Sequence, residues 1–139
     1  MYKSIIFDIG GVMVDFDPKA YLVDRLCSAE MEEKVYDLTF GSEEWKKLDA
    51  GLISRFEGNA TMLKNAQAAG CEFEVQGVLD DWTHILRSRH RMIELVRRLK
   101  NHGYCVYYLS NIPEDILELL TARGVLDQLD TEIGRASCR

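Results

Sequence analysis

Cysteine is too scattered in this chain to organise it: Cys27, Cys71, Cys105 and Cys138 stand far apart and form no CxxC pair. That argues against a disulfide framework or a zinc site and makes a reducing cytoplasm the default setting. His84, His90 and His102 share no ligand spacing and read as surface or packing residues. Long apolar runs are missing as well, none approaching the roughly 20 residues that span a bilayer. The N-terminal run makes a poor signal peptide, because Asp8 interrupts it and no small-residue cleavage site follows. Nor is there a basic stripe. The 17 Lys and Arg are interspersed among 23 Asp and Glu, for a net charge of -6, which argues against a general nucleic-acid surface. A small anionic ligand remains compatible with that balance, since a few local groups hold a phosphate whatever the overall charge. The chain shows no internal repeat and no low-complexity segment.

What is present is the balance of a soluble globular protein: 139 residues, 47% apolar and 29% charged, enough for one domain of ordinary size. Residues 3 to 8, KSIIFD, read as a short strand that ends at Gly10-Gly11. Its near-continuous hydrophobicity predicts a strand covered on both faces, as in a parallel sheet. Residues 18 to 38 predict one helix, with Asp17 as N-cap and Pro18 at the first helical position. GSEEWKKLDAG predicts a helix capped by Ser42 and stopped by Gly51. ISRFEGNATMLKNAQAAG predicts another, opened by Ser54 and closed by Gly70, with Gly58 as a weak point. EVQGVLDDWTHIL reads as a fourth. HRMIELVRRLKNHG is amphipathic, with Met92, Ile93, Leu95, Val96 and Leu99 as its buried stripe. YCVYYLSN is a second buried strand and PEDILELLTARG a helix running from Pro113 to Gly124. Two apolar strands joined by a helical crossover begin a parallel α/β sheet. The helices between Asp17 and Leu86 are too many for one crossover and imply an inserted subdomain.

Asp8 is the residue that needs a reason, because a buried carboxylate is costly unless paired or bound to a metal. In parallel sheets, ligands bind beyond the carboxyl ends of the strands. Asp8 ends the first strand and Ser110-Asn111 end the second, so neighbouring strands would bring them to one crevice. Glycines after Asp8 let backbone N–H groups approach an anion, and the helix at Pro113 could add its positive end. A carboxylate among phosphate donors implies a cation such as Mg²⁺, and with it Asp8 could attack phosphorus as a nucleophile. The same residues also read as a turn cap and a chain reversal, and their spacing does not separate the two.

A resemblance adds to this. IIFDIGGVMVDFD resembles the first motif of the haloacid dehalogenase-like (HAD) hydrolases, and CVYYLSN resembles their second. The wording is most similar to that of HAD phosphatases with a helical cap between those motifs. LDAGLISRFE and DDWTHIL also look like segments of such a cap. The resemblance implies an α/β fold, a partial doubly wound (Rossmann-like) parallel sheet with an inserted α-helical cap. It divides the chain into residues 1–14 (core), 15–85 (cap) and 86–131 (core). It implies that Asp8 is the nucleophile and, with Gly10, a Mg²⁺ ligand. Ile9, Gly10, Ser110 and Asn111 would hold the phosphoryl group, and the cap would select a small phosphorylated substrate such as a sugar phosphate. Neither nucleic acid nor membrane is an expected partner.

Two departures qualify it. The family's general acid and base lies two positions after the nucleophile, where this chain has Gly10. Such help is typically worth ~10²–10⁴ in rate, so a reactive leaving group, or a substitute acid at Asp15 or Asp17, would be needed. The family's third-motif lysine and fourth-motif acidic pair would fall after residue 130, where nothing resembles them. Residues 132–139, EIGRASCR, instead look like the in-frame translation of a common sequencing adapter, and read as a non-native tail on a fragment without activity of its own. The alternatives are a non-catalytic phosphate-ligand binding protein, suggested by Gly10, and a haloacid dehalogenase-type hydrolase using the same aspartate without Mg²⁺. Elsewhere, Tyr104, Tyr107 and Tyr108 read as strand packing, Trp45 and Trp82 as helix anchors, and Glu43-Glu44 as an acidic first turn. Arg87, Arg89 and Arg91 read as a solvated hinge.

Overall fold

The structure, a computed structural model, describes residues 3–127 and Leu129; the tail at 132–139 lies outside the described residues. The chain forms two compact units, one from Met1–Phe16 with Leu86–Arg139 and the other from Asp17–Ile85. It is an α/β fold with a parallel sheet and a helical cap unit inserted between the two strands. Among the described residues no helix is long and apolar enough to cross a membrane.

In the first unit, β1 (Ser4–Asp8) pairs in parallel with a later strand, Cys105–Leu109, in the register Ser4 to Cys105 through Asp8 to Leu109. A short second strand, β2 (Val14–Asp15), pairs antiparallel with β3 (Arg87–Ser88) where the chain leaves and re-enters this unit. Two-residue strands carry no readable period, so sequence patterning did not anticipate them. Helix α6 (His90–Asn101) leads into β4, the Cys105–Leu109 strand, and α7 (Glu114–Ala122) follows it.

Coverage of both sheet faces is not what the structure shows. Val106 is fully buried on one face, while Ile6 is 53% and Leu109 48% exposed on the other. A continuous apolar run reports that a strand can be covered, not how many elements are present to cover it. The α6 stripe is likewise narrower than expected. Val96 is buried, Met92, Ile93 and Leu99 are half-buried, and Leu95 turns outward.

The second unit holds α1 (Pro18–Leu26), α2 (Ala29–Leu38), α3 (Glu43–Asp49), α4 (Arg55–Ala69), α5 (Glu72–Asp81) and a 3₁₀ turn, Trp82–Ile85. Asp17 caps α1 by accepting from Ala20 N at 3.1 Å. The single helix expected over 18–38 is broken, because Cys27 adopts a left-handed φ of 53° and Ser28 caps a new helix at Met31 N. Ser42 caps α3, and Ser54 with Glu57 forms a reciprocal capping box on α4, which ends at left-handed Gly70. The fourth expected helix divides into α5 and the 3₁₀ turn. Gly58 is no weak point. A Cβ there would lie 2.8 Å from Leu48 Cδ1, so its missing side chain is what lets α3 lie close on α4.

Trp45 and Trp82 do anchor this pack, both buried and edge-to-face at 4.8 Å. The tie between α1 and α5 is polar: Tyr21 Oη donates to Asp81, whose other oxygen accepts from Arg25. Burial, then the bond to Asp81, holds the Tyr21 phenol well above its ordinary range. Between the ordinary phenol value of about 10 and that raised value, the unfolded chain has lost a proton that the folded chain keeps. Stability from this group is therefore complete below pH ~10 and declines above it. Urea unfolding midpoints are expected to fall more steeply above pH ~10 in the native chain than in Tyr21→Phe.

Candidate active site

The register decides which side chains meet. Asp8 stands opposite Leu109 at the carboxyl ends of the two parallel strands, so Ser110 and Asn111 are the next residues beyond the same end. Ser110 is 5% exposed and its Oγ accepts from Ile112 N at 3.1 Å. That bond uses the hydroxyl as an acceptor and leaves its proton to donate. Asn111 is exposed beside it.

Asp8 itself is exposed rather than buried. The cost of desolvating a carboxylate, which made this acid conspicuous in an apolar strand, is not incurred, because the strand ends at the molecular surface. Its Oδ1 accepts from Ile9 N at 2.7 Å. Ile9 therefore contributes its N–H to orienting the acid, and the amide expected to serve a phosphate is already engaged.

The loop after Asp8 is tightly organised. The Ile9 carbonyl accepts from Val12, Met13 and Val14 N at 3.2, 2.9 and 3.1 Å, and Gly11 N donates to Val14 O at 2.8 Å. Gly11 has a φ of 76°, a conformation that favours glycine. Ile9, Met13 and Val14 are all essentially buried, each worth about 1.5–3 kcal/mol of transfer free energy, so packing is what holds the loop. Gly10 is different. Its φ is not positive, it is exposed, and a Cβ there would meet nothing within 4 Å. Neither backbone nor packing requires glycine at this position, where the resemblance would place an acid.

The two substitute acids are committed elsewhere. Asp17 caps α1, and Asp15 Oδ1 accepts from Arg89 Nε at 2.5 Å. The N-terminus of α7 also differs from a ready anion site. Glu114 and Asp115 occupy its first turn, and Asp115 Oδ1 accepts from Ile116 N at 3.0 Å; two carboxylates offset the positive helix end. Among the described residues no group of three or more His, Cys, Asp or Glu is placed to hold a metal ion. Mg²⁺ commonly takes only one or two carboxylates, with waters and substrate oxygens completing its shell. The exposed Asp8 carboxylate and the Gly10 carbonyl fit that minimal requirement.

Arg89 is a residue whose role sequence reasoning missed, since nothing local to it indicates a bond to Asp15. In a urea series, Ser110→Ala should cost about 0.5–1.5 kcal/mol, because the bond from Ile112 N–H to Ser110 Oγ is lost. Gly10→Asp should stay within about 0.5 kcal/mol of the native chain, as a surface change without contacts.

No family model matches the chain. A sesquiterpene phosphatase, astK of Aspergillus oryzae, is 30% identical over 112 residues, which is 81% of this chain and 53% of that protein. The chain thus spans about half the length of that curated relative. Among solved structures, the HAD family enzyme bt-2542 of Bacteroides thetaiotaomicron, in complex with magnesium and inorganic phosphate, aligns with a TM-score of 0.63 at 17% identity. That alignment covers 95% of this chain and 68% of that one. The L-2-haloacid dehalogenase of Xanthobacter autotrophicus aligns with a TM-score of 0.58 at 18% identity, covering 100% of this chain and 59% of that one. A parallel strand pair with Asp8 and Ser110 at one end, a helical unit inserted between the strands, and these likenesses show that the chain has the fold of the haloacid dehalogenase-like hydrolases.

Proposed function

We propose that the chain carries the nucleophile half of a Mg²⁺-dependent phosphatase of small phosphorylated metabolites, working through an aspartyl-phosphate in the cytoplasm. The observation that supports this most is the register that levels Asp8 with Leu109 and so sets Ser110 and Asn111 beside it. In this reading an Asp8 oxygen attacks phosphorus and the ester P–O bond breaks. Water then attacks the same phosphorus, the bond to Asp8 breaks, and inorganic phosphate leaves with the carboxylate restored. The Ser110 hydroxyl, the Asn111 amide and the Gly10 N–H donate to the phosphoryl oxygens, while Ile9 N–H steadies the attacking carboxylate. Mg²⁺, held by Asp8 and the Gly10 carbonyl, would offset charge between the carboxylate and the phosphoryl group.

Gly10 bears on the substrate. With no side chain at that position, the departing alkoxide takes its proton from water, so esters of good leaving groups are favoured. The sesquiterpene phosphatase relative is one precedent for a phosphatase on a related chain.

A second reading is favoured by Gly10, which offers no proton to a leaving group. In it, the chain binds a phosphorylated ligand without turning it over. Both readings require Asp8 to meet a phosphoryl group. With Mg²⁺ and beryllium fluoride, a phosphoryl mimic, the native chain should show a bound fluorine resonance that Asp8→Asn lacks. Equal signals from both chains would remove Asp8 from the site. Turnover of a phosphomonoester panel by these 139 residues should be negligible, and metal-dependent release of phosphate abolished by Asp8→Asn would show that they suffice.

A further inference from the structure

Arg89 holds the strand that follows the nucleophile loop at two points. Its backbone N–H donates to Met13 O at 2.9 Å, and its Nε donates to Asp15 Oδ1 at 2.5 Å. Between those two acceptors lies Val14, paired in register with Ser88 and bridged to Gly10. Val14 N also donates to the Ile9 carbonyl and Val14 O accepts from Gly11 N. Ile9 N in turn donates to Asp8 Oδ1. A sequence of hydrogen bonds through Met13 and Ile9 therefore links Arg89, 74 positions from Asp15 in the chain, to the Asp8 carboxylate that the phosphoryl-transfer reading makes the nucleophile.

From this geometry we infer that Arg89 is a positioning residue for the Asp8 loop: its side chain clamps Asp15, which sets Val14 and through it the Gly10 and Ile9 amides. The inference rests on that reading of Asp8. The guanidinium and carboxylate are 44% and 53% exposed, so their pair adds little to overall stability. What it restrains is local, because Met13 and Val14 are already buried and the ion pair selects their register rather than their burial. The same bond occupies one of the two Asp15 carboxylate oxygens.

Three variants of the full 139-residue chain separate the roles: Arg89→Ala, Arg89→Lys, and the exchanged pair Asp15→Arg with Arg89→Asp. Amide exchange read by NMR at Gly11, Val12, Met13 and Val14 should quicken about two- to fivefold in Arg89→Ala. Exchange in the β1–β4 ladder should stay unchanged. Beryllium fluoride with Mg²⁺ should bind two- to fivefold more weakly, and Arg89→Lys and the exchanged pair should recover most of both effects. Loop exchange that is unaltered, or that rises only in step with the ladder, would overturn the inference by reducing Arg89 to a stability contact. Unchanged fluoride affinity in Arg89→Ala overturns the positioning role alone. If the native chain takes no beryllium fluoride, the reading of Asp8 fails and the role of Arg89 toward it fails with it, whatever the exchange data say.

Discussion

The parallel pairing of β1 with β4 is the constraint on which everything functional depends. These strands are separated in sequence by the entire helical unit, so their ladder must overcome the closure entropy of a long intervening segment. It does so with five paired residues whose inner face, Ile5, Phe7, Val106 and Tyr108, is the less exposed one. A slip of one residue in either strand would turn that strand's pair of these side chains to the opposite face. It would also change which residues of the second loop stand level with Asp8. Sheet packing and site geometry are thus one requirement, met by the same register.

Much of this was readable from local chemistry. Caps are made by residues within one turn of the group they bond, so Asp17, Ser42, Ser54 and Gly70 announced their helices correctly. Cys27 and Gly58 did not, for opposite reasons. A cysteine carries no general preference for the left-handed conformation it adopts, although Ser28 followed by Glu30 and Glu32 was a cap signal within the supposed single helix. Gly58 breaks a local rule for a tertiary reason, the Leu48 side chain lying where its Cβ would be. The same division holds at the site. Asp8, Ser110 and Asn111 could be chosen because each ends an apolar run. Arg89 could not, because its partners Met13 and Asp15 are reached only once β2 and β3 have paired.

The surroundings of Asp8 show how a loop can be rigid without being buried. Asp8 and Gly10 are exposed, yet the residues on either side of Gly10 and Gly11 sink Ile9, Met13 and Val14 into the core. Three N–H groups converge on one carbonyl, at Ile9, and so fold the chain back within a few residues. Burial supplies the energy here and hydrogen bonds supply direction. Exposed charge pairs such as Asp15–Arg89 contribute too little to hold such a loop, and enough to bias which way it faces.

Gly10 deserves the same separation of causes. Glycine at a turn usually reflects a positive φ or a close approach, and Gly11 fits the first case. Gly10 fits neither, since its backbone conformation is open to other residues and the space beside it is empty. The missing carboxylate is therefore not a cost imposed by the fold. An acid placed there would stand two residues from Asp8, adding negative charge beside the carboxylate that, in the phosphatase reading, approaches an anionic phosphorus centre. Leaving it out lowers that repulsion and gives up proton delivery to the leaving group. A site built this way suits an ester whose alkoxide departs without help, or a ligand that is to be held rather than cleaved, and the chemistry of the leaving group is what distinguishes them.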